Sequence, residues 1–128
     1  MRMIFVTLPV EDLPASRAFF TALGFEFNTE FSDASCACMV VDRNIFVMLL
    51  VRQRFGHFVG RIADATAVTE VITCLSAQSR QEVDDTVARA IAAGGKPWQA
   101  PVVNGPMYGG SFQDLDGHVW ELVHMAET

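Results

Sequence analysis

The chain is poor in histidine, cysteine and positive charge, and each shortage narrows its chemistry. Nine lysines and arginines stand against fifteen acidic residues, for a net charge of −6. That balance speaks against nucleic-acid binding, which needs a basic face for the phosphates. No apolar run approaches the roughly 20 residues of a membrane-spanning helix. The opening stretch MRMIFVTLPVEDLP has one basic residue and a very short apolar run, unlike a signal peptide. The three cysteines, Cys36, Cys38 and Cys74, are an odd number. With no export signal they are expected to be reduced thiols of a cytoplasmic protein. Cys36 and Cys38 share one face of a strand, and no second pair follows to complete a metal set. Small buried residues are therefore the favoured reading. Ser-His-Asp order, a phosphate-binding loop, G-x-G-x-x-G and H-E-x-x-H are all missing.

What is present describes a globular domain. About half the residues are apolar and 19% are charged, which excludes a disordered chain. The length, 128 residues, fits a single domain over 1–128. Mean hydropathy is slightly positive, at +0.27, which points to a buried subunit interface and hence a homodimer.

One unit is written twice. The strand IFVTLPV is followed by Asp12 as a helix N-cap and by Pro14 in the first turn. The helix LPASRAFFTAL buries Leu13, Phe19, Phe20 and Leu23 and stops at Gly24. FEFNTEF, CACMVV and IFVMLLV read as strands, the last two joined by the turn DRN. The order then recurs. VITCLSA is a strand, and Ser79 to Glu82 is a capping box. Val83, Val87 and Ile91 form a helical stripe, and Gly94 and Gly95 end the helix. KPWQAPV, YGGSFQD and HVWELVHM are the closing strands, with DLDG as the last turn. The caps Asp12 and Ser79 are 67 residues apart, and Asn44 and Gly117, which end the two turns, are 73 apart. The expected fold is α+β, two βαβββ modules paired about a pseudo-twofold axis with a candidate pocket between their sheets. Module 1 covers about 1–51 and module 2 about 69–128. The linker, about 52–68, carries Arg52, Arg54, His57 and Arg61 with Phe55 and Phe58 between them. It reads as a solvated linker helix or as a lid that touches an anionic ligand.

The repeat, with DLDGHVWELV closing the second half and VEDLPASRAFFTALGF (10–25) opening the first, resembles the vicinal-oxygen-chelate superfamily. That group includes glyoxalase I, extradiol dioxygenases and bleomycin-resistance proteins. IFVMLL and MYGGSFQDLDGH are similar to a glyoxalase-like branch. The resemblance implies mixed sheets curved around a central cavity, each with a helix on its outer face. It also implies four pseudo-equivalent ligand positions, which fall here on Phe5, Met48, Ile72 and Glu121. Phe5 and Ile72 have no donor atom, and Met48 has only a soft thioether. Glu121 alone matches, and Glu70 joins it only after a shift in register. No metal or other cofactor is therefore expected.

On the last strand Val119, Glu121 and Val123 share one face, and Trp120, Leu122 and His124 share the other. By the resemblance, the Glu121 face looks into the cavity. Glu121 then has three readings: hydrated, bonded to Tyr108, or a lone catalytic base. His118 is read as a turn residue, and His124 as simply exposed. Phe5, Met48, Ile72, Tyr108, Phe55 and Phe58 are the candidate pocket lining. The expected function is binding of a small organic molecule with the family metal site largely lost. The alternatives are a metal-dependent glyoxalase-type lyase or isomerase, a dioxygenase acting on a small oxygenated or glutathione-linked substrate, and a regulatory or structural dimer module.

Overall fold

In a computed structural model that describes residues 1–126, the chain is α+β with two mixed sheets. It divides into two compact units, Met1–Ala63 and a second from Asp64 onward. The first unit runs β1 (Ile4–Val10), α1 (Leu13–Ala22), β2 (Glu26–Asn28), β3 (Cys36–Asp42), β4 (Ile45–Val51) and α2 (Arg52–Val59). Its sheet has the order β1-β4-β3-β2, with β1 parallel to β4 and the other pairs antiparallel. The second unit runs β5 (Ile72–Ser76), α3 (Arg80–Ala92), β6 (Lys96–Pro97), β7 (Val102–Asn104), β8 (Met107–Gln113) and β9 (Val119–Met125). There β5 is parallel to β9, β8 follows antiparallel, and β6 and β7 both pair with β8. In both units the first strand lies parallel beside the last, with a helix crossing between the first two strands.

Local chemistry explains both entry helices. The Asp12 side chain accepts from the Ala15 amide at 3.0 Å, and Leu13–Pro14 opens α1. Ser79 Oγ accepts from the Glu82 amide at 3.0 Å, and the Glu82 carboxylate reaches back to the Gln78 amide at 2.6 Å. Each helix then buries one stripe on its sheet. Leu13, Ser16, Phe19 and Phe20 do so in α1, beside Val10, Met39, Val47 and Leu49. In α3 the buried residues are Val83, Thr86 and Ala90, while Ile91 lies at the exposed margin. The stripe therefore follows i, i+3, i+7 rather than the expected i, i+4, i+8, which drifts off the face on a 3.6-residue helix.

Two expected strands are shorter than their sequence suggests. FEFNTEF pairs only over β2, because Asn28 bonds the Glu30 amide and turns Thr29–Phe31 into a single 3-10 turn. KPWQAPV breaks into β6 and the start of β7, and Pro97 and Pro101 in it can donate no ladder hydrogen bond. The segment after β4 forms α2 over Arg52–Val59, which lies within the first unit.

Candidate functional site

Strand parity gives each sheet a helix-packed face and an open face. In the first unit the open face carries three cross-strand rows, Phe5–Phe46–Val40, Thr7–Met48–Cys38 and Pro9–Leu50–Cys36. Phe5 stacks on Phe46 with ring centroids 5.0 Å apart and remains 55% exposed. Further along the same face, α2 folds back over the sheet. Thr7, Cys36, Met48 and Leu50 from the sheet and Arg54, Phe55, Phe58 and Val59 from α2 surround a cavity of about 490 Å³. The volume suits a small organic ligand. The sheet residues are neighbours by register, and α2 joins β4 directly, so the roof is fixed at one end by the strand it covers.

Among the described residues, Arg54 is the one charged side chain on this cavity. Its Nη1 donates to Ser35 Oγ at 2.9 Å and lies 3.7 Å from the Asp33 carboxylate. Backbone and side-chain hydrogen bonds from Ser35 hold Asp33 below the ordinary carboxylate range, with Arg54 adding to them. Burial pushes the Cys36 thiol up, which the Arg54 charge partly offsets. Cys36 is therefore a protonated, inert wall at neutral pH.

In the second unit the open face carries the rows Ile72–Val119–Gln113 and Cys74–Glu121–Ser111. Ile72 is 49% exposed, and Glu121 is half-buried. Ser111 Oγ accepts from the Gln99 amide at 3.1 Å. Burial raises the Cys74 thiol, and the Glu121 carboxylate beside it raises it further.

Three expectations about polar partners change. Tyr108 pairs with His124 in register, so it lies on the helix face, away from Glu121. Its hydroxyl donates to Asp84 on α3 at 2.5 Å, and Arg80 sits over its ring. That hydrogen bond raises the Tyr108 hydroxyl above its ordinary value, and Tyr108 drops out of the lining set. Glu70 precedes β5 in irregular, exposed chain, so no strand parity aligns it with Ile72. His124 is half-buried, with Nδ1 3.1 Å from the Ala77 carbonyl. His118 is a turn residue whose amide donates to Asp114.

Of the expected lining, Met48, Phe55 and Phe58 meet in one cavity, and Phe5 shares that sheet face outside it. Thr7, Cys36, Leu50, Arg54 and Val59 complete the wall. Thr7 and Leu50 had a sequence signal, since each is two residues from a named position on its strand. A hard divalent ion needs several oxygen or nitrogen donors. Phe5 and Ile72 supply none and Met48 a thioether, so the family positions do not fit one. Among the described residues no group of three His, Cys, Asp or Glu side chains could hold a metal ion.

Residues 2–42 match the family model for the bleomycin resistance protein-like N-terminal region. A hypothetical protein of S. aureus has a similar structure, with 28% identity, a TM-score of 0.83, and coverage of 97% of this chain and 94% of that one. A glyoxalase/bleomycin resistance protein/dioxygenase family enzyme of Burkholderia phytofirmans PsJN gives a TM-score of 0.83 at 15% identity, over 98% and 99% of the two chains. The fosfomycin resistance protein FosX of Listeria monocytogenes gives 0.69 at 23% identity, over 100% and 92%. No curated protein matches the sequence. The sequence match is thus confined to the bleomycin resistance protein-like N-terminal region, while over nearly its whole length the chain shares the fold of the glyoxalase/bleomycin resistance protein/dioxygenase structures.

Proposed function

We propose that the protein binds a small organic molecule in the cavity beneath α2, with the family metal site largely lost. The observation that carries this reading is the cavity itself, about 490 Å³ and walled by Met48, Leu50, Phe55, Phe58 and Val59. Apolar walls with few polar groups are the usual make-up of a small-molecule site. Met48 and the two phenylalanines can adapt to a flat ligand. The relatives named for resistance to bleomycin and fosfomycin support a small organic ligand.

Two experiments test this reading. Protein purified without chelators is expected to carry nickel, zinc, iron and manganese far below one equivalent. Near-stoichiometric metal that disappears in Glu121→Gln would overturn the lost-site reading. A ligand retained in native mass spectrometry, and released by Met48→Trp, is the positive expectation for binding.

The enzyme reading rests on Glu121, half-buried between Cys74 and Ser111 on its sheet face. A lone carboxylate there would act as a general base. Turnover of a glutathione-linked or oxygenated substrate, lost in Glu121→Gln, would favour it. A homodimer is part of the same proposal. Phe5 and Ile72 are large, exposed apolar groups on open sheet faces that a second copy would cover. Sedimentation at a mass of one chain across micromolar concentrations would contradict it.

A further inference from the structure

We infer that the ligand of the α2-roofed cavity is an apolar or aromatic monocarboxylate, held through its carboxylate by Arg54. This rests on the binding reading above and names the class of molecule. Arg54 supplies the one charge among the described lining side chains, and that charge is positive in an acidic protein. The other polar groups on the wall are the Thr7 hydroxyl and the Cys36 thiol, and neither carries charge at neutral pH. A cation beside apolar walls attracts an anion more strongly than it would in open water.

The geometry favours one negative charge rather than two. Asp33 lies 3.7 Å from Arg54 Nη1 and is held in its charged form by the Ser35 hydrogen bonds. It offsets part of the guanidinium charge and would repel a doubly charged phosphate. Both contacts of Arg54 use Nη1, leaving Nη2 and Nε to meet a planar carboxylate side-on. Ser35 and Asp33 thereby orient the fork instead of saturating it. The Arg54–Asp33 pair is solvent-exposed, with side chains 41% and 65% accessible, so turning Arg54 toward a ligand costs little. Phe55 and Phe58 place aromatic surface beside that charge, for a ring attached to the carboxylate.

The test compares 2-naphthoate with 2-naphthamide, its neutral counterpart of the same shape, by calorimetry on the full chain. Naphthoate is expected to bind at least about tenfold more tightly. Arg54→Gln is expected to erase that preference, and Arg54→Lys to restore part of it. Thermal melting checks that each variant is folded. Equal binding of acid and amide to the wild-type protein would overturn the carboxylate assignment while leaving the cavity reading intact. So would a preference that survives Arg54→Gln. Failure of both probes to bind at millimolar concentration would overturn the two together.

Discussion

Cys74 and Glu121 stand opposite each other on the parallel strands β5 and β9, and Thr7 and Met48 hold the matching places on β1 and β4. One lattice position of the repeat thus carries a thiol beside a carboxylate in one unit and a hydroxyl beside a thioether in the other. The backbone is duplicated, whereas the chemistry on it is not. The duplicated part is set by caps, turns and apolar periodicity, which tolerate change on an open face.

The Cys74–Glu121 neighbourhood is directly measurable. Burial raises the Cys74 thiol above its ordinary 9.0, and the Glu121 carboxylate raises it further. A raised thiol carries less thiolate at any given pH, and thiolate is the reactive form. Glu121→Gln removes the second cause, so the thiolate fraction should rise. Iodoacetamide labelling of Cys74 near pH 8 is therefore expected to speed up. Cys36 and Cys38 are buried and contribute little background. An unchanged rate would mean that the two groups do not sense each other.

Asp114 holds the closing turn. It is 5% exposed; Oδ1 accepts from the amides of Asp116 at 2.9 Å and His118 at 3.0 Å, and Oδ2 accepts from Trp120 Nε1 at 3.0 Å. Asp114→Asn keeps an oxygen for the two amides but sets an NH₂ against the indole NH. Urea denaturation should show a loss of about 1–3 kcal/mol, and a larger one for Asp114→Ala, which strands all three donors. Burial raises the Asp114 carboxyl, against the lowering effects of His118 and the Trp120 hydrogen bond. A carboxyl raised in the folded state contributes stability that is complete below 3.8 and lost as pH climbs through the folded value. The advantage of wild type over Asp114→Asn should therefore shrink as pH rises above 3.8. A gap that widened with pH would contradict the raised carboxyl.

Gly110 marks a close approach of α3 to its sheet. A Cβ there would lie 2.9 Å from Val83 Cγ1 and 3.1 Å from Val87 Cγ2. Val83 is fully buried and has no room to retreat. Gly110→Ala is expected to cost about 1–3 kcal/mol by overpacking. Val83→Ala costs stability alone but makes room for the new methyl. In a double-mutant cycle the two losses should therefore fall short of additive. Strict additivity would rule out this contact as the cause.

Much of the fold was legible because its signals are local. Asp12 and Ser79 cap their helices through bonds spanning three residues, and Gly24 and Gly94 take the positive φ that ends each helix. The parity of the last strand followed from the Asp-Gly turn that precedes it. The partners of polar groups were less legible, because they lie across the fold. Tyr108 finds Asp84 through the packing of α3 on β8, a contact that no spacing encodes. Phe55 and Phe58 were legible as candidate lining on a linker or lid, but the surface they cover depends on how α2 turns back from β4. Arg54 was visible as a charge, and its place on the same cavity wall as Met48 was not.

Met48 and Tyr108 separate the two sheet faces in one experiment. Met48 lines the cavity on the open face of the first sheet, and Tyr108 lies on the helix face of the second. Met48→Trp fills the space beneath α2 and should abolish binding of 2-naphthoate while the protein still melts cooperatively. Tyr108→Phe should leave that affinity unchanged, since it removes only the hydroxyl bonded to Asp84. The tyrosinate band of the wild-type protein should appear above the ordinary 10.0, because the Asp84 hydrogen bond favours the protonated hydroxyl. In Asp84→Asn it should move down toward 10.0, since the carboxylate that raises it is gone. Loss of naphthoate affinity in a folded Tyr108→Phe variant would instead return Tyr108 to the ligand site, where its sequence position had suggested it.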